Sequence, residues 1–474
     1  MNMKSTQKTS TKSTMTSGSA RNYNEIVEFL DAHWTTNTKD KSLQCITKLD
    51  KALGTVSKKI DVVAVTGTNG KSLTINFAAQ LLREEGLNVG CLYVPHILTY
   101  NERISLNNET IANKLFTEIG NEVINAAESE NVKPNSYELL LMMALRYFEQ
   151  NKTDIVLVET PEEFEVNPVS ICKPKVVAVT RVVSDKALSD DQVPQEKLNA
   201  MLSVVSAESH VVSADQSKLH LQAMIDATKE KGATWAMPIR KLAQLSYPFE
   251  QLHGRCAALA ERIADIYINT FANMESLVIN KSLIAKQKGQ RGRPTLEAKR
   301  QSELNPKKTI EQFWKETENN LPGRFQLLDK EKPSVLLDNA NNLDAFSNLL
   351  LGIRLLHYQR PLKGLTVVVG CNNPDLDILE FLKLLRYFFK KTSGQVVVCP
   401  VNSAAYEKGL PSWDIEKVTN DIKNMKIKAR ACKNFAEAFD AAQKSVDERH
   451  GLVVVTGSSS LISEYWQLKG IKKL

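Results

Sequence analysis

Short apolar runs alternate with amphipathic stretches along two separate parts of the chain. On the N-terminal side "DVVAVTG", "LNVGCLYV", "TDIVLVET", "PKVVAVT", "SHVVSA" and "ATWAMP" read as strands, because short runs of β-branched and apolar residues bounded by turn formers suit strands buried on both faces. Helical stretches such as "NSYELLLMMALRYFEQN" separate them. Alternation of this kind predicts a parallel sheet flanked by helices. Towards the C-terminus the pattern starts again with "SVLLDNA", "LTVVVGC", "GQVVVCPV", "IKARACK" and "GLVVVTGSSS", and helices are predicted near 342–357, 375–391 and 434–448. That is a second, smaller α/β domain. There is no short-period repeat and no coiled-coil heptad.

Composition narrows the class. The chain has 474 residues, 42% of them hydrophobic, enough for two or more domains with their own cores. No apolar run approaches the roughly 18 residues that span a bilayer, so a soluble, cytoplasmic protein with no membrane association is expected. Seven dispersed cysteines, with no CxxC pair and no histidine spacing suited to zinc, point to a reducing compartment. Residues 1–20 carry three lysines, no acid and almost no large apolar side chain, the composition of a disordered tail. The absence of arginine and of an apolar face there argues against a transit peptide.

The net charge of +7 is local. Residues 281–308 hold nine Lys/Arg and two acids, which accounts for the whole excess and leaves the remaining chain neutral. Arg291-Gly292-Arg293-Pro294 has the extended basic form that enters an A·T minor groove, but basic runs of this kind are ordinarily solvated linkers. Nucleic acid is therefore not the expected partner. The boundaries that follow are a tail at 1–20, a first domain at 21–275, a basic insertion at 276–320 and a C-terminal domain at 321–474.

Candidate chemistry lies in "VAVTGTNGKSLT", a strand, a glycine turn and the start of a helix. It is a shortened phosphate loop, Gly67-Thr68-Asn69-Gly70-Lys71-Ser72. Glycines let the backbone curl so that its N–H groups face phosphate oxygens, and the helix N-terminus adds partial positive charge. Lys71 offers a point charge to the β/γ-phosphates and Ser72 a hydroxyl to Mg²⁺. ATP is the expected ligand. An acidic partner for the metal is expected at the end of a neighbouring strand, and "TDIVLVET" places Glu159 there.

Further motifs follow in order: "VPHILTYNERISLNNETI", "LPGRFQLL", "LLDNANNLDAF" and the closing "GLVVVTGSSSLISEYW". Together with the loop, they resemble the folylpolyglutamate synthase branch of the Mur ligase superfamily over roughly residues 40–474, apart from the basic insertion. The resemblance implies a P-loop ATPase domain with a Rossmann-like C-terminal domain closing over the nucleotide. It implies an ATP-dependent ligase that phosphorylates a folate carboxylate and joins it to L-glutamate; because a cleft between two domains of one chain needs no partner to complete it, a monomer is expected. Lys71 and Ser72 would then hold phosphate and metal, Glu159 the metal, Arg324 a phosphate from the far domain, and Asp338 the ribose. His96, Glu102 and Arg103 would line the pterin side, and Lys197 is the candidate for the lysine that relatives carry as a carbamate.

The chain departs from that pattern at several points. Lys71-Ser72 follow each other directly, Val94 replaces a serine, and "TPEEFEVNP" replaces a glycine-rich segment. Lys186 stands for a histidine, and Asn341 stands for another. These losses set a second expectation beside the active ligase, an ATP-binding relative whose chemistry is lost or changed.

Overall fold

The computed structural model describes residues 19–34, 42–162, 164–184, 195–240, 242, 249–272, 321–402 and 412–474. Most of the N-terminal tail, the basic segment 281–308, Asp185 and Lys186 lie outside the described residues, and so do the expectations attached to them.

Among the described residues the first domain is built on eight strands: β1 Asp61–Thr66, β2 Val89–Leu92, β3 Ile104–Leu106, β4 Glu109–Thr110, β5 Ile155–Glu159, β6 Val176–Val179, β7 His210–Ser213 and β8 Thr234–Trp235. Their order across the sheet is β4-β3-β2-β5-β1-β6-β7-β8. The six strands from β2 to β8 run parallel, as the apolar runs predict, and the β3–β4 hairpin adds an antiparallel edge. That hairpin is too short and too mixed in character to stand out as strands in the sequence.

β1 shows why these strands are apolar throughout. Val62 and Ala64 join one core with Met142 and Leu145 from the helix Ser136–Gln150. Val63 and Val65 join the other with Phe77 and Leu81 from the helix Lys71–Glu84 and Ile263 from the helix Phe249–Ile266. Both faces are covered, so alternation would leave polar side chains buried without partners. Asn135 caps the helix Ser136–Gln150 by accepting from the Glu138 amide at 2.9 Å, while the Glu138 carboxylate accepts from the Asn135 amide. This reciprocal cap satisfies two amides that the helix itself leaves unbonded.

The described residues of the C-terminal domain form six strands: β9 Gln326–Leu328, β10 Ser334–Asp338, β11 Leu365–Val369, β12 Gln395–Val398, β13 Lys428–Ala431 and β14 Leu452–Thr456. They are ordered β13-β12-β11-β14-β10-β9, all parallel except the edge strand β9. Helices Leu343–Gln359, Ile378–Phe389 and Phe435–Lys444 stand where the pattern predicts them. All seven cysteines are free thiols. No described helix is long and apolar enough to cross a membrane.

Register positions the chemistry. β1 lies between β5 and β6, with Val65 paired to Glu159 and Thr66 to Val179. The loop after β1 therefore emerges beside Glu159 on one side and Thr180-Arg181 on the other, at the carboxyl ends of the strands where open parallel sheets place ligands.

Packing beneath this edge is tight at Gly90 in β2, where an added Cβ would sit 2.7 Å from the buried Phe148 ring. Gly90→Ala should destabilise the protein by about 1–3 kcal/mol, the usual cost of overpacking. Chemical denaturation followed by circular dichroism checks this, with Gly86→Ala a poor substitute because strain at positive φ, not packing, dominates there.

Candidate active site

The glycine loop is shaped by close approach. Gly67 has φ 121° and a Cβ there would lie 2.2 Å from Thr180 Oγ1, while Gly70 has φ 91° and a Cβ would meet Cys256 Sγ at 2.8 Å. Only glycine fits at either position. The amides of Thr68 and Asn69 donate to the Arg181 carbonyl at 2.8 and 3.2 Å, which ties the loop to the end of β6. Lys71 folds back over it, with Nζ donating to the carbonyls of Gly67 at 2.6 Å and Thr68 at 3.3 Å. Thr68, Asn69, Gly70, Lys71 and Ser72 line a cavity of about 1070 Å³ whose walls come from both domains.

Ser72 joins those walls. Its Oγ donates to Glu159 Oε2 at 2.7 Å and accepts from Arg324 Nη2 at 2.7 Å. Glu159 is 4% exposed, so its charge is held in a largely desolvated place and is met by a hydroxyl and, at 3.4 Å, by the Val94 amide. Val94, which lacks the hydroxyl expected there, thus contributes its backbone. A hydroxyl beside a buried carboxylate is a hard-oxygen donor set. Among the described residues no three His, Cys, Asp or Glu gather as a metal group. The pair alone fits Mg²⁺, which is commonly held by one or two protein oxygens, with phosphate and water completing its shell.

Asp338 fixes the segment that presents Arg324. Its Oδ2 accepts from the Phe325 amide at 2.8 Å and its Oδ1 from the Ala340 amide at 2.9 Å. Burial pushes the carboxyl up to about 6, while the two amides and the Arg324 guanidinium pull the other way. Asp338 also lines the cavity.

A second set of bonds latches the domains at the loop. Asn69 Nδ2 donates to Asn342 Oδ1 at 3.0 Å and to Asp344 Oδ2 at 2.8 Å, and Asn342 Nδ2 donates to Asn69 Oδ1 at 2.9 Å. Arg181 Nε donates to Asp344 Oδ1 at 2.8 Å. Asn342 also caps the helix Leu343–Gln359 through the Ala345 amide at 2.9 Å. The start of that helix is therefore bound directly to the loop.

The three residues expected on the pterin side are placed differently from one another. Glu102 turns inward and accepts from the amides of Ile97, Leu98 and Thr99 at 2.8, 2.9 and 2.6 Å, so it organises its own turn. His96 accepts from Arg103 Nε at 2.8 Å, and burial, with Arg103 beside it, holds the imidazole well below its ordinary range. It is a neutral acceptor that orients the arginine. Only Arg103 of the three lines the cavity, packed against the rings of Trp34 and Tyr100 at 4.9 and 5.3 Å. Lys197 reaches the same cavity and pairs with Glu162 Oε2 at 2.8 Å.

The structure thus brings Lys71, Ser72, Glu159, Arg324, Asp338, Arg103 and Lys197 to one cavity, while His96 and Glu102 stand behind its wall. Sequence reasoning did not assign Glu162, Arg181, Asp344, Trp34 or Phe164, all of which line it. The acidic run after β5 was a visible signal for Glu162. Nothing in the spacing pointed to Asp344 or Trp34.

No family model matches the chain. It is 26% identical over 429 residues to the dihydrofolate synthase/folylpolyglutamate synthase of Bacillus subtilis, an alignment that covers 87% of this chain and 91% of that one. Among solved structures, folylpolyglutamate synthase of Mycobacterium tuberculosis complexed with ADP superposes with a TM-score of 0.71 at 17% identity, covering 94% of this chain and 98% of that one. The bifunctional folylpolyglutamate synthase/dihydrofolate synthase of Yersinia pestis complexed with AMPPNP and Mn ion gives 0.69 at 18% identity, covering 96% and 100%. The fold is the two-domain Mur ligase architecture. Within it, the chain is similar in sequence to dihydrofolate synthase/folylpolyglutamate synthases at low identity, and it shares the fold of solved folylpolyglutamate synthases.

The latch makes its own prediction. Asp344→Ala removes the acceptor shared by Asn69 and Arg181, and because Arg181 is half exposed, the stability loss should stay within about 1 kcal/mol. Hydrogen exchange should nonetheless rise together at residues 67–72 and 342–348. Unchanged exchange at the loop would show that the latch does not order it.

Proposed function

We propose that the protein is an ATP-dependent ligase that adds L-glutamate to the carboxylate of a tetrahydrofolate through an acyl phosphate. The observation that carries this reading is the meeting, across one cavity, of a glycine loop with its lysine, the Ser72–Glu159 pair and an arginine from the opposite domain. Phosphoryl transfer asks mainly for positioning and for neutralisation of charge, and these groups supply both.

The nucleotide enters with its phosphates on the loop amides and the start of the helix Lys71–Glu84. Lys71 places its ammonium against the β/γ-phosphates, and Arg324 approaches them from the C-terminal domain. Asp338, when ionised, accepts from a ribose hydroxyl. Ser72 and Glu159 would hold Mg²⁺, which supplies positive charge to the phosphate oxygens. A carboxylate oxygen of the folate attacks the γ-phosphorus and ADP leaves. The glutamate amine then attacks the acyl carbon, the tetrahedral intermediate expels phosphate, and the amine proton passes to solvent or phosphate. Trp34 and Phe164 offer aromatic faces to a pterin ring, and Arg103 adds a buried positive charge for an acidic substrate. The reading takes the enzyme as a cytoplasmic monomer, since both domains of one chain complete the cavity.

The direct test is to mix the protein with Mg²⁺-ATP, tetrahydrofolate and glutamate and to seek by mass spectrometry a folate heavier by one glutamyl unit. Lys71→Ala and Arg324→Ala should each lower turnover by about a hundredfold or more, and Arg324→Lys should restore little because it lacks the planar fork. ATP binding with no glutamylated product across several reduced pterins would sink the ligase reading.

A pH dependence follows from Asp338. Its carboxyl is raised to about 6, so it is ionised above that pH and gains a proton as the pH falls through it. ATP affinity, measured by calorimetry, should fall more steeply below about pH 6 in the unmodified protein than in Asp338→Asn, where only the titration of ATP itself remains.

A further inference from the structure

Glu162 has no part in the reading above, yet it sits between two cations in the cavity. Its Oε1 accepts from Lys71 Nζ at 2.9 Å, and its Oε2 pairs with Lys197 Nζ at 2.8 Å. One carboxylate therefore gathers two ammonium groups from different elements, the first residue of the helix Lys71–Glu84 and the helix Gln195–Leu202. Lys197 is steadied by the Val183 carbonyl at 3.4 Å, and all three charged side chains line the cavity. Burial works to raise the Glu162 carboxyl, but the two lysines outweigh it and hold the group below the usual range.

Two cations converging on one small anion, beside a phosphate loop, form a receptor for a phosphoryl group. The carboxylate presents two oxygens on one centre, and a phosphoryl group presents three with more charge. We propose that Lys197 is a second phosphoryl-binding cation of the ligase reaction, and that Glu162 holds Lys71 and Lys197 together until the transferred phosphoryl group takes its place. This rests on the ATP-dependent reading above. It also means that Lys197 works as a free ammonium. A carbamate on Lys197 would set one anion against another at the contact that is now an ion pair, and like charges at such range in a partly desolvated cleft repel strongly. The acidic segment that replaces a glycine-rich one therefore supplies a carboxylate of its own.

The test measures equilibrium binding of ADP and of a non-hydrolysable ATP analogue, with Mg²⁺, to the unmodified protein, Glu162→Gln, Lys197→Arg and Lys197→Met, all checked for folding by thermal melts. Glu162→Gln removes the competing anion, so it should bind the triphosphate analogue several-fold tighter and leave ADP binding nearly unchanged. Lys197→Met should weaken the analogue and slow turnover, and Lys197→Arg, which keeps the charge but cannot carry a carbamate, should retain much of both. Weaker analogue binding by Glu162→Gln would overturn the proposal. So would equal loss in Lys197→Arg and Lys197→Met, or a carbamate carbonyl signal in ¹³C-bicarbonate NMR that vanishes in Lys197→Arg. If the unmodified protein binds no analogue, the ATP-dependent reading itself fails. If it binds and the variants match it, only the second cation fails.

Discussion

The hydroxyl of Ser72 links the chemistry of the two domains at the phosphate loop. It donates to Glu159 from the end of β5 and accepts from Arg324 of the C-terminal domain, both at 2.7 Å. One small group thus couples a buried carboxylate to a guanidinium that arrives from a different sheet. Desolvation makes the arrangement demanding, because Glu159 is nearly inaccessible and its charge needs donors within the protein. Ser72 and the Val94 amide meet that demand from within the first domain, and Arg324 extends the chain of hydrogen bonds to the C-terminal domain through the Ser72 hydroxyl.

The same economy runs through the rest of the cleft. Lys71 and Lys197 share Glu162, Arg181 and Asn69 share Asp344, and Asp338 faces the segment that carries Arg324. Lys71, Lys197 and Arg181 are each paired with a carboxylate across an element or domain boundary. A polyanion reaching Lys71, Lys197 or Arg181 does not meet bare positive charge. It exchanges with carboxylates that already hold the cations in place, so the ordering entropy of those long side chains is met in the folded protein before the ligand arrives.

Departures from the family pattern take on physical sense here. Val94 has no side-chain hydroxyl to offer, and it is its backbone amide that approaches Glu159, at 3.4 Å. The acidic "TPEEFEVNP" segment is no mere loss of glycines, since it delivers Glu162 to two lysines. Asn341 now engages its neighbours in the polar run from Asp338 to Asn342, where it accepts from Asn342 through its side chain and from Asn373 through its carbonyl.

The sequence by itself determined the elements and the phosphate loop. Strands buried on both faces must be apolar throughout, and a loop that curls against Thr180 must have glycine at Gly67, so both leave marks that local pattern can read. Glu159 was legible for the same reason, as an acid ending an apolar run. Short edge strands such as β4 and β9 were not, because an edge needs little hydrophobicity. Only the tertiary structure decided which charges meet. Glu102 and Arg103 are adjacent in the chain, yet one turns inward to cap three amides while the other faces the cavity. Asp344 lies 275 residues from Asn69, and Arg324 lies 252 from Ser72. Hydrogen bonds and ion pairs at such separations depend on how two sheets dock, and no local spacing encodes that.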